Sequence, residues 1–400
     1  MQSTRSPIKH RKVFYIPGFD PFPARRYREL YRKQSQIQAA ISRYRITQSA
    51  PVAPSDRFGW SVHGVFARQK VDSDFTVLEW SDLVKSSMSN GIFATYRQML
   101  NTAWIYITTG ALIDIMRLRR GPVLAALYPI AMLVLQLALA IAMAYAVVSG
   151  LHPRIGVLSW GGMGLVWPIL VLFQRLDGRL FAYYLMHDYA HTAQGRGAYD
   201  PALQQRMDEF RADIERALSD PKWDEVLVVG HSSGAHLGIS VLAQIIRSHR
   251  GNGRLSFLSL GHVVPMVAYL PQAGQLRADL YDLSRSDQLM WVDVTAPGDA
   301  CSFALCDPVA VSGQGGDDQK WPLVLSAAFR NTLSQQRRSY LRFRFFQRHF
   351  QYLCAFDNPR GYDYFEITAG PVALCDYFAD RRPSRQRITR AATRYTDRGA

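Results

Sequence analysis

Four hundred residues with a hydrophobic share of 48% are ample for a large buried core, which excludes general disorder. Lys and Arg outnumber Asp and Glu by 47 to 32, and the net charge of +15 points to an anionic partner, either nucleic acid or a membrane surface. Zinc-finger spacing, RNA-binding signatures and basic helix-turn-helix patterns are all missing, so no nucleic acid is expected and the membrane is the better partner.

The amino terminus is basic but lacks an apolar run long enough for a signal peptide, so export by that route is not expected. Residues 12–19, KVFYIPGF, predict a first core strand running into a turn at Pro17-Gly18. A basic helix follows over 22–45, with Leu30, Ile37 and Ile41 at roughly helical intervals, and Pro51 and Pro54 end it. Trp60–Phe66 and Phe75–Trp80 predict strands separated by a polar turn. Residues 84–116 read as mainly helical and increasingly apolar.

The most hydrophobic stretch of the chain is 123–148, which holds no charge and a single amide, Gln136. A bilayer core needs about 20 apolar residues in a helix, and this run exceeds that. A short turn leads to a second uncharged run, 157–173, weakened as a helix by Gly161, Gly162, Gly164 and Pro168. The two predict a transmembrane hairpin whose second arm is shallow or kinked. Arg117, Arg119 and Arg120 precede it and Arg175 and Arg179 follow it, which places both ends on the cytoplasmic side of a cell (inner) membrane.

Beyond the hairpin, Leu203, Met207, Phe210, Ile214 and Leu218 form one helical stripe. Three strands follow within 226–229, 255–267 and 288–295, alternating with helical patterns. That alternation predicts an α/β fold, a mostly parallel sheet flanked by helices. The expected division is 1–90 and 181–380 as two parts of one core, 91–180 as a helical insertion, and 381–400 as a basic, disordered tail. Four cysteines, Cys301, Cys306, Cys354 and Cys375, are too few for a disulfide framework and lack zinc-site spacing, so they are expected to be reduced and to bind no metal.

Chemistry concentrates at residues 224–238, DEVLVVGHSSGAHLG. The apolar, β-branched run Val226–Val229 predicts a buried strand, and Leu237, Val241, Leu242 and Ile245 recur at helical spacing after the turn. Between them Gly230-His231-Ser232-Ser233-Gly234 spells Gly-x-Ser-x-Gly, a strained turn that holds a serine hydroxyl in the open. A serine needs a base to take its proton and a third group to orient that base. In the chain order serine, acid, histidine, nine of the ten histidines lie at or before position 262 and only His349 follows the candidate acids. Asp299, just after the strand 288–295, is the first choice for the acid, ahead of Asp307 and Asp293, with Asp317 and Asp318 last. Two backbone N–H groups must meet the oxyanion. Ser233 supplies one, and the Pro17-Gly18-Phe19 turn supplies the other through Phe19, with Gly18 allowing close approach.

The stretch GHSSGAHLG is similar to the GHSxGAH spelling of lipases, and the chain resembles an α/β-hydrolase of the serine esterase/lipase kind. The resemblance covers the early strand with its turn and residues 220 to about 375. It leaves out the hairpin, and Pro17-Gly18 stands where the family has His-Gly. It implies ester hydrolysis through an acyl-enzyme on Ser232, His349 and Asp299, with no metal or organic cofactor. The expected substrate is a carboxylic ester, most readily a lipid acyl ester, held near the headgroup boundary. Acyl transfer to another alcohol uses the same residues, and a non-catalytic membrane scaffold is the reading from a different class.

Overall fold

A computed structural model describes residues 7–51, 57–88, 91–248 and 254–399. Its centre is β1 (His10–Ile16), followed by α1 (Arg25–Ser42) and an outer group of strands, β2 (Arg45–Ser49), β3 (Gly59–Phe66) and β4 (Gln69–Val77). Helices α2 (Ser81–Met88), α3 (Ile92–Thr108), α4 (Ala111–Leu118) and α5 (Arg120–Ile155) come next. The chain returns through a 3₁₀ stretch, Gly156–Leu165, then α6 (Val166–Arg175), the single turn α7 (Asp177–Leu180), α8 (Ala182–Gln194) and α9 (Pro201–Ser219). The second half alternates β5 (Glu225–His231), α10 (Ser233–Arg247), β6 (Leu255–Leu260), α11 (Val264–Ala268), α12 (Gly274–Arg285), β7 (Leu289–Thr295) and β8 (Leu323–Ser326).

The strands form one eight-stranded sheet in the order β2-β3-β4-β1-β5-β6-β7-β8. Only β3 runs against its neighbours; from β4 to β8 every pairing is parallel. Helices cover both faces, so the fold is mixed α/β. Parallel strands buried on both faces read as unbroken apolar runs, and all seven residues of β5 are buried. The register Ile16↔Gly230 sets the turn after β1 directly beside the turn after β5. That register is what brings Gly18 to Ser232.

On one face, α9 seats its stripe of Leu203, Met207, Phe210, Ile214 and Leu218, none more than 4% exposed. Burying each such side chain contributes about 1.5–3 kcal/mol. On the other face, α1 turns inward Tyr27, Tyr31, Ser35, Gln38 and Ala39, while Ile37 and Ile41 are exposed. Of the stripe expected from Leu30, Ile37 and Ile41, only Leu30 packs against this core. The tyrosines take the inward face because their hydroxyls find partners, Tyr27 on Asp20 at 2.7 Å and Tyr31 on Thr368 at 3.1 Å.

The insertion differs from the expected pair of membrane helices. Among the described residues one helical stretch, Arg120–Arg175, is long and apolar enough to cross a membrane, and it begins with α5, which holds Pro129 and Pro153. The return over 157–173 is not a second helix of that kind. Its glycines favour a 3₁₀ run over Gly156–Leu165, and only the ten residues of α6 are α-helical. It packs back on α5, where Val148 and Leu170 are buried, and His152 and Ser159 approach to 3.1 Å. A small separate core joins α3, α5, α6 and α8 through Met99, Leu133, Ala140, Leu170 and Met186.

The carboxyl-terminal segment also departs from expectation. Residues 381–399 are laid along the protein rather than free of it. Ile388 bridges to Cys306, Arg394 reaches Asp114 at 3.1 Å, and Asp397 meets the wholly buried Arg277 at 3.1 Å. Of the arginines read as a solvated tail, Arg394 finds the Asp114 carboxylate and Arg398 the Gln314 amide oxygen at 2.9 Å, while Arg382, Arg385 and Arg390 are exposed.

Candidate active site

Strand β5 ends at His231, and Ser232 stands alone at the turn with φ 58° and ψ −121° before α10 begins. A non-glycine residue there stores about 1–3 kcal/mol of backbone strain and persists only when its surroundings hold it. The strand on one side and the helix on the other do so, and the Ser232 N–H donates to Leu260 O at 2.9 Å. Gly234 is needed for the fit, since a Cβ on it would lie 2.1 Å from Ile16 O. Gly18 is needed too, because a Cβ there would stand 2.9 Å from the Cβ of Ser232.

Two backbone donors are free to face a carbonyl bound at Ser232. Ser233 is the first residue of α10, so its N–H has no intrahelical acceptor. The Phe19 N–H has no acceptor among the described residues. The turn carrying it is pinned from three sides: Trp80 Nε1 donates to Pro17 O at 2.9 Å, Tyr184 donates its hydroxyl to Phe19 O, and Asp20 accepts from Phe22 N at 3.0 Å.

The acid and the histidine meet. Asp299 lies in the turn after β7, and its Oδ2 stands 2.7 Å from His349 Nδ1. The same oxygen accepts from Tyr352 Oη at 3.0 Å, and Oδ1 accepts from Cys301 N at 3.0 Å. Burial by itself raises this carboxyl, but the nearby His349 charge, its hydrogen bond, and the donors from Cys301 and Ser302 outweigh it, leaving the Asp299 pKa below the usual value. A carboxylate only accepts, so in the neutral imidazole Nδ1 of His349 carries the proton and Nε2 keeps its lone pair. Nε2 is buried and closes no hydrogen bond among the described residues. Ser232, His349, Gly18, Phe19 and Ser233 line a single cavity of about 70 Å³. The Asp299–His349 link is therefore closed, whereas the Ser232–His349 link is open; catalytic hydrogen bonds commonly tighten only once substrate is bound.

The remaining candidates fall elsewhere. Asp307 caps the short helix Pro308–Val311, accepting from Val309 N and Ala310 N at 3.0 and 3.1 Å. Asp293 is buried in β7 and accepts from Ser259 at 2.6 Å. Asp318 pairs with Arg285 on the surface, and Asp317 is exposed beside it. His262 sits in the turn after β6 rather than on the strand, 3.0 Å from Cys306 O. His231 packs its ring 4.7 Å from that of His349 and sets Nε2 3.1 Å from His349 O, while His236 approaches Tyr199 to 3.1 Å. Burial holds both histidines neutral, with pKa values of about 3.

Two residues of the site carry no motif. Tyr352 donates its hydroxyl to Asp299 Oδ2 at 3.0 Å and accepts the Ala296 N–H at 2.9 Å, with Ser302 Oγ 3.5 Å away. Asp188, on α8, lines the same cavity as Ser232. Burial pushes its carboxyl up to about 7, against an opposing pull from His349. A lone acid inside the apolar run LFAYYLMHDYAHTA was the available signal for it. No protein-family model, curated protein or solved structure matches this chain.

Proposed function

We propose that this chain is a membrane-anchored serine hydrolase of the α/β-hydrolase kind that cleaves carboxylic esters. The observation that carries the reading is the unpaired Nε2 of His349, fixed by the 2.7 Å bond to Asp299 and opening into the same cavity as Ser232. In the proposed cycle, Nε2 takes the hydroxyl proton as Ser232 Oγ adds to the ester carbonyl carbon. The carbonyl electron pair moves to oxygen, where the Phe19 and Ser233 N–H groups meet it. Collapse expels the alcohol, which takes the proton back from His349. Water then repeats the sequence on the acyl-enzyme, releasing the acid and free Ser232.

The lipid preference rests on the apolar surface of the insertion. Exposed side chains such as Leu135, Leu139, Met143 and Trp167 fit hydrocarbon better than water. With arginines flanking α5 and α6, the reading puts the site on the cytoplasmic face of a cell membrane. An active-site-directed fluorophosphonate should label wild-type protein at Ser232 and leave Ser232→Ala unlabelled. Absence of labelling on folded wild-type protein would sink the enzyme reading and favour a scaffold. Product analysis with a lipid alcohol present separates hydrolysis from acyl transfer.

A further inference from the structure

The cavity at Ser232 adjoins two others, one of mixed lining and one almost wholly apolar. Toward α9 and α10 lies a space of about 410 Å³, within the ~300–1,000 Å³ common for ligand sites. It shares Phe19, Asp188, Thr192 and Ser233 with the nucleophile cavity, so both oxyanion donors sit at the junction. On the other side, toward α3, α4 and α5, lies an almost wholly apolar space of about 190 Å³ lined by Ile107, Leu112, Val123, Leu127 and Ile130. It shares Tyr189 and Met266 with the nucleophile cavity. Ser232 thus stands between a more polar chamber, which mixes polar groups with Trp80, Leu83 and Val267, and an apolar one built mostly by the insertion.

The polar chamber contrasts with the chain around it. The protein has a net charge of +15, yet among the described residues no lysine or arginine lines either this chamber or the nucleophile cavity. Its polar lining consists of hydroxyls, amides, imidazoles and acids, including Thr192, Tyr199, Gln272, His191, Asp188 and Asp200. Burial keeps His191 and His236 neutral. Asp200 is committed to capping α9 through Leu203 N at 2.9 Å. Asp188 is the acid left free, and its raised pKa lets it both donate to and accept from a hydroxyl near neutral pH. A phosphate would meet carboxyls here and no cation to neutralise it.

We propose that the polar chamber receives the alcohol part of the substrate and is built for an uncharged, hydroxyl-bearing group. The ester acted on is then an acyl chain joined to a neutral polyol, with the acyl chain on the Met266–Tyr189 side and Asp188 on the polyol. This rests on the serine-hydrolase reading for the identity of the reacting bond, but binding itself can be measured without catalysis.

The experiment uses full-length Ser232→Ala protein in lipid nanodiscs, titrated with three soluble amphiphiles of equal chain length: 1-O-hexylglycerol, hexyl phosphate and hexyltrimethylammonium. The glycerol ether should bind at least tenfold more tightly than the phosphate and more tightly than the ammonium. Adding Asp188→Leu should weaken the glycerol ether at least fivefold, and Asp188→Asn should recover part of the loss. Equal or tighter binding of the phosphate overturns the proposal, as does a preference for the ammonium. Loss of fluorophosphonate labelling in wild-type protein would instead strike the hydrolase reading, so the two failures are distinguishable.

Discussion

The sheet core and the helical insertion solve the same problem in opposite ways. In α10, which follows Ser232, nearly every apolar side chain is inside, from Leu237 and Ile239 to Ile245 and Ile246. In α5, burial is confined to one stripe running Pro129, Leu133, Gln136, Ala140, Ala144 and Val148, while Leu135, Leu139, Met143 and Val147 face outward. A helix on a water-soluble protein sets polar residues opposite its buried stripe. Here the opposite face is as apolar as the stripe, only 22% of the most hydrophobic window is buried, and Gln136 is turned inward. The core packs its apolar side chains against itself, while the insertion turns a continuous apolar face outward.

The largest expected effect lies at the tip of β5. Ser232→Ala should lower kcat on a model ester by about 10⁶-fold, as when a nucleophile is removed from a comparable triad, and should leave the far-ultraviolet spectrum unchanged. Asp299→Asn should cost about 10⁴-fold by destroying the tautomer preference of His349. Activity within tenfold of wild type would mean that Asp299 does not orient the base. Gly18→Ala forces a Cβ to 2.9 Å from Ser232 and displaces the Phe19 donor, so a loss on the order of 10²–10³ in kcat is expected, about 2.7–4 kcal/mol. A KM increase with kcat intact would instead assign that turn to binding.

The insertion is tested by placing a charge on its outer face. Leu139→Arg should cost about 2.5–3.5 kcal/mol of membrane insertion if that face meets hydrocarbon. A surface substitution facing water stays within about 0.5 kcal/mol. Resistance to alkaline extraction from membranes measures the difference, and an unchanged result for Leu139→Arg would break the contrast between the two regions.

Much of the site was legible because its chemistry is ordered along the chain. The Gly-x-Ser-x-Gly spelling needed only short-range geometry, and placing His349 needed only the rule that it follow the acid. Asp299 was readable as the first acid after a strand end. Tyr352 and Asp188 were not: Tyr352 acts through a contact with Asp299, 53 residues away in the chain, Asp188 through a cavity it shares with Ser232, and neither belongs to a motif. The edge strands β2 and β8, five and four residues long, were too short to show a period. The return arm misled for a physical reason: its composition is apolar enough for a membrane helix, but its glycines lower the cost of the tighter 3₁₀ turn.

The smallest effect concerns the segment that ties the two regions together. Tyr395 donates its hydroxyl to Thr109 O at 3.1 Å and Arg394 reaches Asp114 in α4, while Asp397 meets Arg277 in α12. Arg277 is wholly buried, and a buried charge that loses its only partner costs several kcal/mol. It has others, however: Ala268 O at 2.9 Å, Leu270 O at 2.8 Å and Pro271 O at 3.1 Å. The Asp397 carboxylate itself is 65% exposed, so water screens most of its attraction. Asp397→Asn should therefore cost no more than about 1 kcal/mol. Thermal unfolding of the full chain measures this, and a loss of ~3 kcal/mol or more would show that the carboxylate, rather than the carbonyls, compensates Arg277 and that the terminal segment holds insertion and core together.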